Sequence, residues 1–240
     1  VMEYRDTLKN VREIAEELSV ANVIEGSIQR VGDRVRINVQ LIDADTDQHL
    51  WAEIYDRALT TSDLFAIQSE IAQSIAEALK ATLTDSEKAE VSEIPTDNVE
   101  AYELFLKARQ AAQDETRDSY ALAIDLYRQA LTHDPAFKQV WIGLARAYMT
   151  NYWVFGGDMD NVNRARTAIE KAREIDPDFA ELFIAEGFYF YWADLDYDRA
   201  LYSLSKAIES MPGNDEAYMW RAWVSRRAGL WKQAVSSMQQ

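Results

Sequence analysis

The chain has 240 residues, 48% of them hydrophobic and 28% charged, a globular composition sufficient for one large domain or two small ones. Its 8 glycines and 4 prolines are too few for a sandwich or barrel of many tight turns, and the lack of cysteine excludes disulfides, thiolate metal sites and cysteine nucleophiles. A formal net charge of −16 repels phosphate backbones, so nucleic acid is not an expected partner of this region.

The opening Val1-Met2-Glu3-Tyr4-Arg5-Asp6 has no signal-peptide core and reads as the interior of a longer chain. Val11, Ile14, Ala15 and Leu18 then recur at the spacing of an amphipathic helix. Residues 22–30 read as a strand, and Val31-Gly32-Asp33 as a hairpin turn. Val35, Ile37, Val39 and Leu41 alternate with polar residues, the pattern of a strand with one face on a core. Asp43 to Asp47 is a second turn, and Leu50 to Tyr55 a third strand. Leu64, Ile67, Ile71, Ile75, Ala78 and Leu79 form the stripe of a following helix, with Asp63 near its positive end.

Residues 1–93 therefore form a small α+β domain, an antiparallel meander with two helices. Two helices on three strands bury little core, so further elements are expected upstream. Residues 94–98 are a linker, in which Pro95 biases Ile94 away from helix. The charge changes there, from 9 basic and 20 acidic side chains over residues 1–97 to 16 and 21 over residues 98–240.

Residues 99–240 contain no strand pattern. They carry a repeat of Ala-x-x-x-large-x-x-Ala followed by Pro: Ala123, Tyr127, Ala130, Pro135; Ala165, Ile169, Ala172, Pro177; Ala200, Leu204, Ala207, Pro212; with Ala234 and Met238 opening a fourth. After each proline a large residue precedes a small one: Trp141 then Ala145, Phe183 then Gly187, Tyr218 then Ala222. Pro177 and Pro212 lie 35 residues apart, close to the ~34 of a tetratricopeptide repeat. Pro135 and Pro177 lie 42 apart, with the excess assigned to the loop at residues 154–158. The region reads as an all-α tetratricopeptide-repeat superhelix of about 3.5 helix pairs.

The stretches Ile24-Glu25-Gly26-Ser27, residues 33–37, Gln40-Leu41-Ile42-Asp43, residues 49–53, Tyr55-Asp56-Arg57 and Phe65-Ala66-Ile67-Gln68 resemble the TolB amino-terminal-like domain, also termed FlgO-like or cyclase-associated. The likeness covers about residues 1–90 and departs at the front, where the family has another strand and helix and Val1-Met2 would end a second strand. It implies a regulatory region between an upstream output domain and downstream repeats. That output domain would be an adenylate or guanylate cyclase, a kinase or a winged-helix regulator.

Chemistry-bearing patterns are sparse. His133 sits in a turn and His49 opens a strand, neither with a second histidine at ligand spacing. Gly26, Gly32, Gly156 and Gly157 make no phosphate loop; Gly26 instead fits a close approach or a bulge in its strand. Asp45 and Asp47 lack the calcium-loop pattern, and Trp51, Glu53 and Tyr55 fit a strand face under a helix. No nucleophile–base–orienter set is visible, so no catalytic, cofactor or metal residue is assigned.

The inward face of each first helix is the informative surface. Its spacing selects Gln139, Ile142, Arg146 and Met149; Glu181, Ile184, Phe188, Tyr191 and Trp192; and Glu216, Met219, Trp223, Arg226 and Arg227. Ala217 to Gln240 holds four basic residues and no acidic one. One expectation is that these aromatics bury against a further repeat. The other is a groove for a protein or peptide with acidic or carboxylate groups, formed by Arg146, Met149, Phe188, Tyr191, Trp192, Trp223, Arg226 and Arg227. Self-association is a further expectation. The alternative function is a small-molecule sensor with a pocket between the α/β domain and the repeats. The longest apolar cluster, Phe188 to Trp192, is far below the ~20 residues of a membrane span. The compartment follows from what lies upstream: cytoplasmic without a membrane helix there, otherwise the periplasmic side of the inner membrane.

Overall fold

A computed structural model describes residues 4, 7, 9–58, 60–81, 88 and 91–239, with the side chains of Thr61, Ser62 and Leu64 excluded. The strand end expected at Val1-Met2 and the place of Leu64 on its helix stripe lie outside the described residues. The chain divides into two compact units, Val1–Ile94 and Pro95–Gln240.

In the first unit, helix α1 (Val11–Leu18) starts on a capping box, with Asn10 accepting from the Glu13 amide and Glu13 from the Asn10 amide. Strands β1 (Asn22–Val31), β2 (Arg34–Asp43) and β3 (Gln48–Ala58) form an antiparallel sheet in that order. Gly32 takes φ +59°, which a two-residue hairpin of the II′ kind requires of its first residue. The second turn closes on Asp43, whose carboxylate accepts from the amide and hydroxyl of Thr46; those bonds hold its pKa below the ordinary value. Val35, Val39 and Leu41 are buried, so the alternation in β2 does mark the core face. Helix α2 (Thr61–Ala78) packs on β3 and contributes buried Phe65 and Ile67.

Two details depart from the sequence pattern. Strand β3 runs well past Tyr55, because Arg34 and Arg36 of β2 both pair with Asp56 and carry the ladder onward on polar residues. Strand β1 keeps its inward face open. Ile28 pairs with Ile37 on the core side yet is 73% exposed, and Ile24 on the same face is 56% exposed. Gly26 is a close-approach glycine: a Cβ there would sit 2.8 Å from the Asn38 carbonyl oxygen.

The second unit contains no strand among the described residues. Its helices are α3 (Val99–Ala112), α4 (Arg117–His133), α5 (Lys138–Trp153), α6 (Met159–Ile175), α7 (Ala180–Tyr189), α8 (Tyr197–Ser210), α9 (Asp215–Arg227) and α10 (Trp231–Ser237). Among the described residues they form four hairpin pairs, the last of them closed by the short α10. Asn98, Thr116, Asp158, Asp196 and Asn214 cap α3, α4, α6, α8 and α9 by accepting the amide three residues on. Asp134 and Asp176, each before a repeat proline, tie the end of a pair to its start. Asp134 accepts from the Thr96 hydroxyl at 2.6 Å and Asp176 from Lys138 Nζ at 2.6 Å, and the Lys138 bond holds the Asp176 pKa below its ordinary value. Thr96, in the expected linker, is buried by this contact.

The repeat anchors are the core. Ala123, Ala130, Ala165, Ala172, Ala200 and Ala207 are all 0% exposed, because the paired helices meet at these small side chains. Gly187 is as demanding: a Cβ there would lie 2.7 Å from Leu204 Cγ. The 42-residue spacing is absorbed by longer α5 and α6 and by residues 154–158, where Gly156 takes φ +66°. The one residue beyond ~34 in the next spacing coincides with a π-helical segment, Phe190–Asp194, continuing α7.

Tyr127 packs its ring where a Cβ at residue 143 would fall, and burial pushes its pKa up to about 12. The fold thus favours the neutral phenol. That contribution is complete below the unfolded value of about 10 and is lost as pH rises to the folded value. Replacing Tyr127 with Phe is expected to leave stability unchanged near neutrality. Between about pH 9 and 12 it should spare about 2–3 kcal/mol of the alkaline loss, read as urea unfolding free energies of both proteins.

Candidate partner-binding groove

The first helices of the pairs, α3, α5, α7 and α9, lie side by side in a row. Neighbouring packed helices sit about 8–10 Å apart, so α5 and α9 are two such steps from each other. Yet Arg146 of α5 reaches Glu216 of α9. Its Nη1 donates to Oε2 at 3.1 Å, and its Nη2 donates to Oε1. A direct bond across two steps requires the row to curve toward this face, which makes it concave. The pair spans Phe188 of α7, whose ring centroid is 5.3 Å from the guanidinium.

The spacing-selected residues divide by depth. Met149 is 1% exposed, and Ile142, Ile184, Phe188 and Tyr191 are also buried, so they support the face and do not present it. They sit in the apolar clusters that the first helices form with their neighbours. Gln139 is half-buried and its Oε1 lacks a partner among the described residues. Arg146 is engaged by Glu216, so the expected anion contact there is occupied from within. Trp192 is half-buried, Trp223 is 36% exposed, and Arg226 and Arg227 are exposed in the last turn of α9. Neither of these two arginines has a carboxylate partner among the described residues. The helix C-terminus suits their charge.

An aromatic path joins these groups. Trp153 stacks on Trp192 at 5.9 Å and 8°, Trp192 meets Trp220 edge-on at 5.3 Å, and Trp220 meets Trp223 edge-on at 4.7 Å. Trp220 Nε1 donates to Glu216 Oε1 at 3.3 Å, linking the path to the salt bridge. Trp153 and Trp220 lie outside the selected sets, although each follows a selected residue by four, Met149 and Glu216, and Trp220 packs on Phe188 and Trp192 of the preceding pair. Four of 7 tryptophans in one path is a compositional signal that periodicity does not use.

This stack of curved helix pairs is similar to a solved structure, the thermophilic tetratricopeptide-repeat protein TTC0263 of Thermus thermophilus. The TM-score is 0.50 at 18% identity, over 74% of this chain and 84% of that one. The second unit is a tetratricopeptide-repeat superhelix. The Sgt2 tetratricopeptide-repeat domain from Aspergillus fumigatus is also similar, 25% identical with a TM-score of 0.44, over 55% of this chain and 81% of that one. No protein-family model matches the chain. A curated relative from Rhizobium meliloti (strain 1021), named "Putative adenylate cyclase 3", is 34% identical over 176 residues, or 72% of this chain. The chain spans 30% of that relative's length. Among the described residues of the α/β and tetratricopeptide-repeat units, no helix is long and apolar enough to cross a membrane.

Proposed function

We propose that this chain is a non-catalytic interaction and regulatory region of a multidomain bacterial signalling protein of the cyclase-associated kind. Its repeat unit binds a protein or peptide bearing acidic or carboxylate groups. In this reading residues 1–93 are a TolB amino-terminal-like domain acting as a platform, and any cyclase or kinase activity belongs to sequence outside these 240 residues. The cyclase relative and the motif stretches from Ile24 to Gln68 support that context.

The observation that carries the binding role is the end of the aromatic path. Trp223 lies exposed beside two arginines, Arg226 and Arg227, that have no carboxylate partner among the described residues. Aromatic and arginine side chains anchor interfaces, and a guanidinium meets a carboxylate with two parallel hydrogen bonds. In a chain of net charge −16, a local basic end also steers an acidic partner to one place.

The test is calorimetry with acidic peptides ending in a free carboxylate, against the same peptides as C-terminal amides. The free acids are expected to bind more tightly. Arg226→Ala and Arg227→Ala should each weaken binding about tenfold, the equivalent of about 1.4 kcal/mol. Unchanged affinity in both variants would refute the site.

A further inference from the structure

The repeat unit holds the same cleft twice, and three of its positions are apolar in the first copy and polar in the second. The first, about 480 Å3, lies between α4, α5 and α6 and is lined by Leu131, Leu144 and Ala168 together with Arg128, Asp160 and Arg164. The second, about 320 Å3, lies one repeat on, between α6, α7 and α8. Counted from the repeat prolines, Leu131 becomes Arg173, Leu144 becomes Glu186 and Ala168 becomes Ser203. All three changes are from apolar to polar, and the new side chains bond one another. Arg173 Nη2 donates to Glu186 Oε1 at 2.6 Å, and Ser203 Oγ donates to Glu186 Oε2 at 3.0 Å.

Helix stacking does not need this set, since the neighbouring pair stacks on apolar residues at the same places. Buried polar groups are costly unless bonded, so their concentration at one cleft is a departure from the core rule. The π-helical segment Phe190–Asp194 lies at the same cleft, and such segments recur at functional sites.

The lining defines the ligand. Arg166, Arg173 and Arg199 converge there with Glu170, Glu186 and Asp194. Each guanidinium has five donors and none is saturated. Among the described residues Arg166 donates to the Tyr189 hydroxyl, and Arg199 lies on the Phe190 ring at 3.8 Å and 3.6 Å from Asp194. The formal charges sum to zero. A bare anion would face three carboxylates in a chain already at −16, and a bare cation three guanidiniums. A molecule carrying both charges meets both sets.

We propose that this cleft binds a small zwitterion of the α-amino-acid type, its carboxylate on the guanidiniums of Arg166 and Arg199 and its ammonium on Glu170 and Asp194. The site shares no residue with the aromatic path and stands independently of the peptide-binding role.

Calorimetry and thermal shift of the 240-residue chain with each standard α-amino acid test this, with acetate and methylammonium as single-charge probes. At least one amino acid is expected to bind with one-to-one stoichiometry, at least about tenfold more tightly than either probe. Arg166→Ala and Arg199→Ala, both at exposed positions, should each weaken it about tenfold or more. Silence toward every amino acid, acetate binding as tightly as the best of them, or unchanged affinity in both single variants would each overturn the proposal.

Discussion

Replacing Leu204 with Ala is expected to lower the unfolding free energy by about 3 kcal/mol. Leu204 is fully buried in the cluster formed by α7, α8 and α9, and it closes the site where Gly187 brings two helices together. Truncation removes transfer energy and leaves a cavity that the rigid helix pair relaxes into only partly. The reverse insult is smaller. Gly187→Ala gains about 1 kcal/mol of helix propensity, but its methyl would lie 2.7 Å from Leu204 Cγ, and relieving that clash costs about 1–3 kcal/mol. Combined, the two changes exchange volume across one contact. The double variant should therefore be more stable than the sum of the singles predicts, by about 1 kcal/mol. Urea unfolding of all four proteins measures this, and strict additivity would show that the 187–204 contact does not set the helix spacing.

The architecture is legible wherever a residue type is forced by close approach. The alanines at 123, 130, 165, 172, 200 and 207 can be nothing larger, so their recurrence exposes the helix pairs without coordinates. The alternation from Val35 to Leu41 marks a core face for the same reason of burial. Periodicity gives the face of a helix but not how far the next helix closes over it. Met149 and Tyr191 are selected by the same spacing as Trp192, yet only the packing of the neighbouring helices decides that they are covered. The Arg146–Glu216 bond is invisible for a related reason: it joins residues 70 positions apart through the bend of the row. Ile24 and Ile28 show the opposite limit, with a buried pattern on an open edge. Polar cores are the hardest to read. Glu186 looks like a surface residue in an apolar count, and only comparison with Leu144 one repeat earlier reveals its place.

Arg173→Leu alone is expected to destabilise the chain by about 3 kcal/mol. It leaves the Glu186 carboxylate, 9% exposed, with the Ser203 hydroxyl as its remaining side-chain donor among the described residues. The lower end of the range for a broken buried pair applies because Arg173 is itself nearly half exposed, so water replaces part of what it gave. Glu186→Leu alone should cost less, about 1–2 kcal/mol. The orphan it leaves is the neutral hydroxyl of Ser203, and the new side chain adds apolar burial. Changing all three residues to their counterparts, Leu, Leu and Ala, removes every orphan together, and stability should return to within about 1 kcal/mol of the starting protein. Chemical denaturation of this series orders the variants. If the triple variant is the least stable, Arg173, Glu186 and Ser203 hold the stack together. If it recovers, the polar set is not needed for stacking, and its presence at the cleft calls for a role outside the fold.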